Sequence, residues 1–435
     1  MQTLNWNQLD ADAKAAALKR SPLVGDNALE QQVADIIANV RKNGDAALRD
    51  YSRRFDKAEI QNIRLSDAEI LTASARVSDE LKAAIQVAMA NIRRFHEAQK
   101  PATIALDTQA GIRCELHTEA IEAVGLYIPG GSAPLISTVM MLALPASIAG
   151  CERRVLVSPP PLNDAIVYAA TACGVNEIYQ VGGAQAIAAL AFGTESITPV
   201  DKIFGPGNRY VTEAKSQVSR DNQACVSIDM PAGPSEVLVI ADAKANPVFI
   251  AADLLSQAEH GPDSQVMLVT DSQAVATAVA QEVERQLATL PRAEIARKAL
   301  FCSRTLLVSD MQQAAEVSNR YGPEHLILQT QQPREILKRI RAAGSVFVGP
   351  YTPESVGDYA SGTNHVLPTY GYSRTVSSLS LADFCRRFTV QELSAQGLQG
   401  LGDTVMTLAA AEQLDAHKNA VALRLATLNA DGEVR

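Results

Sequence analysis

EVLVIAD (236–242), QVMLVT (265–270), TLLVSD (305–310), HLILQT (325–330) and SVFVG (345–349) are short apolar runs, each separated from the next by a helical stretch. The apolar residues do not alternate with polar ones, so both faces of each strand are buried, as in a parallel sheet covered by helices. A second series of the same texture precedes them: RRVLVS (153–158), IYQV (178–181) and KIFG (202–205), again each followed by a helix. Two such series predict an α/β protein with two doubly wound parallel-sheet domains of incomplete Rossmann-like type.

On either side of this core the pattern is helical. Val33, Ile36, Ile37 and Val40 recur at helical spacing over 28–42, and Gly44 follows as a stop signal. A second amphipathic run covers 78–99, with Asp79 and Glu80 in its first turn. From about residue 383 the chain returns to helices, with Leu401, Val405, Leu408, Val421 and Leu425 forming an apolar stripe and no strand pattern. Such a tail packs on its own chain or reaches a second subunit. The most apolar stretch, SAPLISTVMMLALPASIAG (132–150), is interrupted by Pro134, Pro145 and four hydroxyl residues, so it reads as a loop and a buried helix rather than a membrane span.

The 435 residues predict two or three domains, and 47% hydrophobic with 20% charged residues is a globular balance. A net charge of -9 argues against nucleic acid or an anionic membrane as the main partner. The N-terminal stretch has no apolar secretory core, and Cys114, Cys151, Cys173, Cys225, Cys302 and Cys385 show no C-x-x-C spacing. The expectation is a cytoplasmic protein with free thiols and no zinc-thiolate site.

Five segments place turn residues and polar groups together at the ends of predicted strands: GLYIPGGSAPL (125–135), VGGAQAIAALAFGT (181–194), FGPGNRY (204–210), DMPAGPSEV (229–237) and YGPEHL (321–326). The dinucleotide fingerprint G-x-G-x-x-G is absent from the sequence. Gly205-Pro206-Gly207-Asn208 follows a strand and opens a helix, so it reads either as a phosphate cradle or as a plain tight turn. Gln257 and His260 lie three apart in the last helical turn of LLSQAEHGP (254–262), where the plainer reading is a histidine capping the helix end and the other is a shared metal. Glu324-His325 pairs a carboxylate with the side chain most easily poised as a base near neutral pH; the bland reading is a strand-edge histidine beside a solvated glutamate. GDYASGTNHVLPTYG (357–371) is a polar loop with Asp358, Asn364 and His365. In AEQLDAHKNA (411–420), Glu412 and His417 are about 140° apart on a regular helix, so one ligand is served only by flanking or local distortion.

Taken in order, these blocks resemble the histidinol dehydrogenase family over nearly the whole chain. The run from Ile228 and Asp229 through Ala232-Gly233-Pro234-Ser235-Glu236 to Ser256-Gln257-Ala258-Glu259-His260 is similar to the family signature. GLYIPGG, GGAQAIAALAFGT, FGPGN, GPEHL and GDYASGTNHVLPTYG are similar to further family blocks. The resemblance implies a zinc- and NAD-dependent oxidoreductase of histidine biosynthesis, converting L-histidinol through L-histidinal to L-histidine with two NAD. It implies one zinc per subunit on Gln257, His260, Asp358 and His417, and NAD contacts at Tyr127, Gln185 and Asn208. Substrate contacts are implied for Ser235, Gln257, His260, His325, Asp358, Glu412 and His417. His325 is the implied general base and Glu324 the implied water activator. His417 would come from a partner, giving a homodimer with shared sites.

The implied division is an N-terminal helical segment (1–25), a first α/β domain for zinc and substrate (26–126 and 237–380), a second for NAD (127–236) and an exchanged helical tail (381–435). Rival readings are another alcohol on this scaffold and a thiol aldehyde dehydrogenase using Cys114 or Cys151. Two more are a zinc hydrolase on His260, Glu324 and His325, and a non-catalytic binding module.

Overall fold

The structure is a computed structural model that describes residues 1–20, 27–130, 134–230 and 233–432. The 131–133 part of GLYIPGGSAPL, the 231–232 part of DMPAGPSEV, and the expected boundary at 25/26 lie outside the described residues. The strands in chain order are β1 (Gln2–Asn5), β2 (Ile104–Gln109), β3 (Ile112–Ala120), β4 (Ala123–Tyr127), β5 (Arg153–Ser158), β6 (Glu177–Gln180) and β7 (Lys202–Phe204). They continue with β8 (Ser227–Ile228), β9 (Glu236–Ala241), β10 (Gln265–Thr270), β11 (Arg304–Leu307), β12 (His325–Gln329), β13 (Ser345–Val348) and β14 (Cys385–Leu393). The chain forms two compact units, 1–99 with 121–384, and 100–120 with 385–435.

The first unit holds two parallel sheets, ordered β1-β11-β10-β9-β12-β13 and β6-β5-β4-β7-β8. Apart from the extra edge strand β1, each follows the order 3-2-1-4-5 when its strands are counted along the chain. That is the doubly wound order without a sixth strand, as the apolar runs predict. β9 and β10 are buried along their whole lengths, which is why neither alternates in sequence. The 132–150 stretch supplies the helix Ile136–Ala149, with Val139, Met141, Leu142 and Leu144 fully buried and Pro145 inside it.

Three expectations need correction. The helices Asn27–Tyr51 and Asp79–Glu97 were expected in the first α/β domain, but they pack on the helices of the second sheet. Val33, Ile36, Ile37 and Val40 share one buried cluster with Tyr127, Ile187, Leu190 and Val211. Helical periodicity shows that a face is buried but not against which neighbour. The N-terminal segment, expected as helical, begins with β1, which pairs in parallel with β11. Its sequence QTLN is mostly exposed, so it carries no apolar strand signal.

The tail likewise begins with a strand. β14 pairs antiparallel with β3, and β3 with β2, so the second unit is a small β14-β3-β2 sheet plus the helices Ala395–Ala411 and Asp415–Gly432. β14 is exposed on both faces, which removes the alternation by which a half-buried strand is recognised. The two helices pack closely, Leu425 and Val421 lying against Gly402.

Candidate active site

Glu324 and His325 come together at the amino end of β12, beside the amino end of β9. Both are buried, at 7% and 4% exposure, so the bland reading of a solvated pair does not hold. Glu324 Oε2 accepts the backbone N–H of Glu236 at 2.8 Å, and His325 Nδ1 lies 3.0 Å from the carbonyl oxygen of the same residue. A carbonyl can only accept, so Nδ1 carries the proton and Nε2 is the nitrogen directed at chemistry. Nε2 is 3.7 Å from Asp358 Oδ1 and has no hydrogen-bond partner.

Electrostatics sharpen this picture. Burial pushes the Glu324 carboxyl up to about 7, with Glu236 and Asp358 adding to the rise and His325 opposing it. Burial alone would push His325 down, but the carboxylates of Glu354, Glu324 and Asp358 hold it well above the usual imidazole range. Burial would also raise Asp358, yet the imidazoles of His325, His365 and His260 keep it below the ordinary carboxylate value.

On the Asp358 side, the ligand atoms of His260, Glu354 and Asp358 lie within 4.8 Å of one another. Gln257 is buried one turn before His260. With its amide turned to satisfy both ends, it donates to Glu354 and accepts from the Glu236 N–H at 3.0 Å. Glu354 Oε2 is buried with no hydrogen-bond partner, and burial pushes that carboxyl up to about 8. An orphaned buried oxygen beside a nitrogen and a second carboxylate fits a divalent cation with N and O ligands. Packing makes this approach available: the helix Glu354–Tyr359 presses Gly357 against Phe347 so closely that an added Cβ would lie 2.6 Å from the ring.

Glu354 was missed at the sequence level, because the polar loop was read from 357. Its signal was the i, i+4 spacing to Asp358: like charges at that spacing repel on a helix unless a counter-charge joins them. Asp253, one turn before Gln257, was also missed; it bonds Gln329 at 3.3 Å, and burial pushes it up to about 6. His365 sits in the same charge field, pushed down to about 4 by burial. Asn364 is structural, since it donates to the Met141 carbonyl at 2.7 Å. Ser235 immediately precedes β9, and its carbonyl accepts Gln265 N–H at 3.1 Å.

Tyr127, Gln185 and Asn208 line a different cavity, of about 1460 Å³, on the second sheet. Glu324, His325 and Asp358 are not among its lining residues. Tyr127 closes β4 and its hydroxyl accepts the Gly183 N–H at 3.1 Å. Gln185 is buried, with Nε2 unpartnered. Asn208 caps the helix Arg209–Arg220, accepting Tyr210 and Val211 N–H at 3.0 and 3.2 Å. Gly205 (φ +120°) is obligatory, because a Cβ there would lie 2.1 Å from the Tyr127 carbonyl. The cavity opens at the β4/β7 crossover of the second sheet, where doubly wound folds bind ligands. In the first sheet the acid–base pair takes the opposite, amino end of the strands.

Glu412 and His417 belong to the second unit and both are exposed. They do not share one helix: Glu412 ends Ala395–Ala411, Gln413 adopts φ +60°, and His417 sits in Asp415–Gly432. The single tail helix expected to carry both is therefore broken between them, at Gln413. Of the candidate thiols, Cys151 is buried against the Phe384 carbonyl at 3.6 Å, and Cys114 lies on β3 of the second unit.

The family model for histidinol dehydrogenase matches residues 19–425. The chain is 71% identical to the histidinol dehydrogenase of Shewanella oneidensis over 98% of this chain and 100% of that one. It is 59% identical to that of Escherichia coli K12, over 98% of each. The crystal structure of histidinol dehydrogenase from Elizabethkingia anophelis superposes with a TM-score of 0.95 at 46% identity, covering 99% of both chains. On the family match across its length and on this agreement of fold, the chain belongs to the histidinol dehydrogenase family.

Proposed function

We propose that this protein oxidises L-histidinol through L-histidinal to L-histidine with two NAD, closing histidine biosynthesis. The observation that carries the reading is the Glu324–His325 pair, buried, bonded to the backbone N–H and carbonyl of one residue, Glu236, and facing a cluster of N and O donors. Gln257, His260 and Asp358, with His417 from a second copy, would hold one zinc per subunit, and Glu354 stands close enough to take part. Zinc there supplies a template for the imidazole and amino nitrogens of the substrate, and a positive charge that offsets the carboxylates around His325. NAD, held by Tyr127, Gln185 and Asn208, supplies the hydride acceptor.

The protein's own groups move the protons. His325 takes the alcohol proton at Nε2 in the first oxidation, with Nδ1 kept protonated by the Glu236 carbonyl. Glu324, its carboxyl near neutrality, then accepts a proton from water as the aldehyde is hydrated. His325, once it has released the first proton to solvent, repeats its role in the second oxidation, while Ser235 and Glu412 complete the substrate pocket. The tail would be exchanged in a cytoplasmic homodimer; exposed Val390, Leu408 and Leu423 on the second unit favour a covered surface there. No described helix is long and apolar enough to cross a membrane.

The test is NADH formed per L-histidinol consumed, with and without a chelator. Two NADH per substrate, lost on metal removal and restored by zinc, are expected. No NADH from the folded, zinc-loaded protein would overturn the reading in favour of another alcohol.

A further inference from the structure

One residue holds both members of the acid–base pair. The Glu236 N–H binds Glu324 and its carbonyl binds His325 Nδ1, so the placement of that residue's backbone, on both sides of its Cα, sets both side chains. The Glu236 side chain is itself buried at 1% exposure and is gripped by Arg20, far away in sequence. Arg20 Nη2 donates to Oε2 at 2.9 Å and Nε donates to Oε1, the paired geometry that a planar guanidinium matches. Oε1 also accepts the Tyr370 N–H at 3.0 Å, tying in the loop that begins beside Asp358.

Arg20 has a second set of contacts. Nη2 donates to the carbonyls of Tyr321 and Gly322 at 2.9 and 3.2 Å, and the guanidinium lies 3.9 Å over the Tyr321 ring. Those residues lead directly into Glu324. The guanidinium therefore joins the entrance of β9, the entrance of β12 and the Asp358 loop, three segments that carry the proposed chemistry. Beyond the ion pair itself, the Tyr370 N–H on Oε1 and the Tyr321 and Gly322 carbonyls on Nη2 tie these segments to one another.

We propose that Arg20 is a positioning residue that aligns Glu324 and His325 through the backbone of Glu236 and the Tyr321–Gly322 turn. The proposal rests on the reading of Glu324 and His325 as the reacting pair. Small displacements of reacting groups cost rate rather than affinity, so the effect belongs in kcat.

The experiment compares Arg20→Ala, Arg20→Lys and His325→Ala as full-length, zinc-loaded proteins, with rates normalised to folded protein. For Arg20→Ala, kcat should fall on the order of 10- to 100-fold with the KM for L-histidinol near wild type. Arg20→Lys should retain more activity, and millimolar guanidinium ion should restore part of the Arg20→Ala rate by occupying the vacated fork. The double variant Arg20→Met/Glu236→Gln removes both charges at similar volume, which keeps the fold if Arg20→Ala does not. It should still show the kcat loss. Wild-type kcat in the double variant, or a rate loss that tracks only the loss of folded protein, would overturn the proposal. An active His325→Ala protein would instead overturn the assignment of the pair, and the proposal with it.

Discussion

Replacing Lys215 with methionine tests whether a buried ion pair holds the turn at the cavity of the second sheet. Lys215 is 4% exposed, pairs with Asp229 and donates to the Gly205 carbonyl at 2.9 Å. Asp229 accepts the N–H of Gly205 and of Met230, each at 2.7 Å. Both polar groups of Gly205 are thus tied to one pair, three residues before Asn208 at the cavity. Methionine fills most of the lysine volume, so the chief loss is the counter-charge. Removing one partner of a buried pair costs about 3–5 kcal/mol, because the other charge is left uncompensated. The two amide donors that remain on Asp229 place the expected loss in the lower part of that range, about 3–4 kcal/mol. Neutralising both, in Lys215→Met/Asp229→Asn, should recover only part of that loss, because the Asn amide nitrogen cannot accept the second of the two N–H groups. Urea unfolding followed by circular dichroism reads the stability, and under the proposed function the KM for NAD should rise in both variants. A single variant within about 1 kcal/mol of wild type, the worth of an exposed pair, would refute the reasoning.

Three further outcomes are expected. Glu354→Gln and His260→Asn should each weaken zinc binding by on the order of 10- to 100-fold in a chelator competition, and unchanged affinity in Glu354→Gln would remove it from the site. Glu324, pushed up to about 7 from 4.5, keeps its proton in the folded state over a range where the unfolded chain has lost it. The folded state then binds more protons, so stability should fall as pH rises from 4.5 to about 7 and level off above. Glu324→Gln should flatten that slope in metal-free protein; parallel curves for the two proteins would contradict the raised carboxyl. Mixing inactive His325→Ala and His417→Ala proteins under subunit exchange should restore part of the activity, and no recovery in verified mixed dimers counts against a shared site.

Much of this protein is legible in its sequence because the relevant signals are local. A strand buried on both faces is a continuous apolar run wherever it occurs, so β9 and β10 declare themselves, and their alternation with helices implies the parallel order. Glu324 with His325, and Gln257 with His260, are close in the chain, so their pairing needs no knowledge of the fold. Edge strands β1 and β14 lack that signal because water covers most of their surface.

Other features are decided only by tertiary structure. Glu354 becomes a candidate ligand because the fold buries its carboxylate beside His260, and burial is not a property of the residue type. The Arg20–Glu236 pair spans 216 positions, and nothing in the neighbourhood of either residue names the other. Periodicity records which faces leave water, since the hydrophobic effect has no direction. Which charges then meet in the space those faces enclose depends on the approach of segments distant in sequence, and only the folded chain sets that approach.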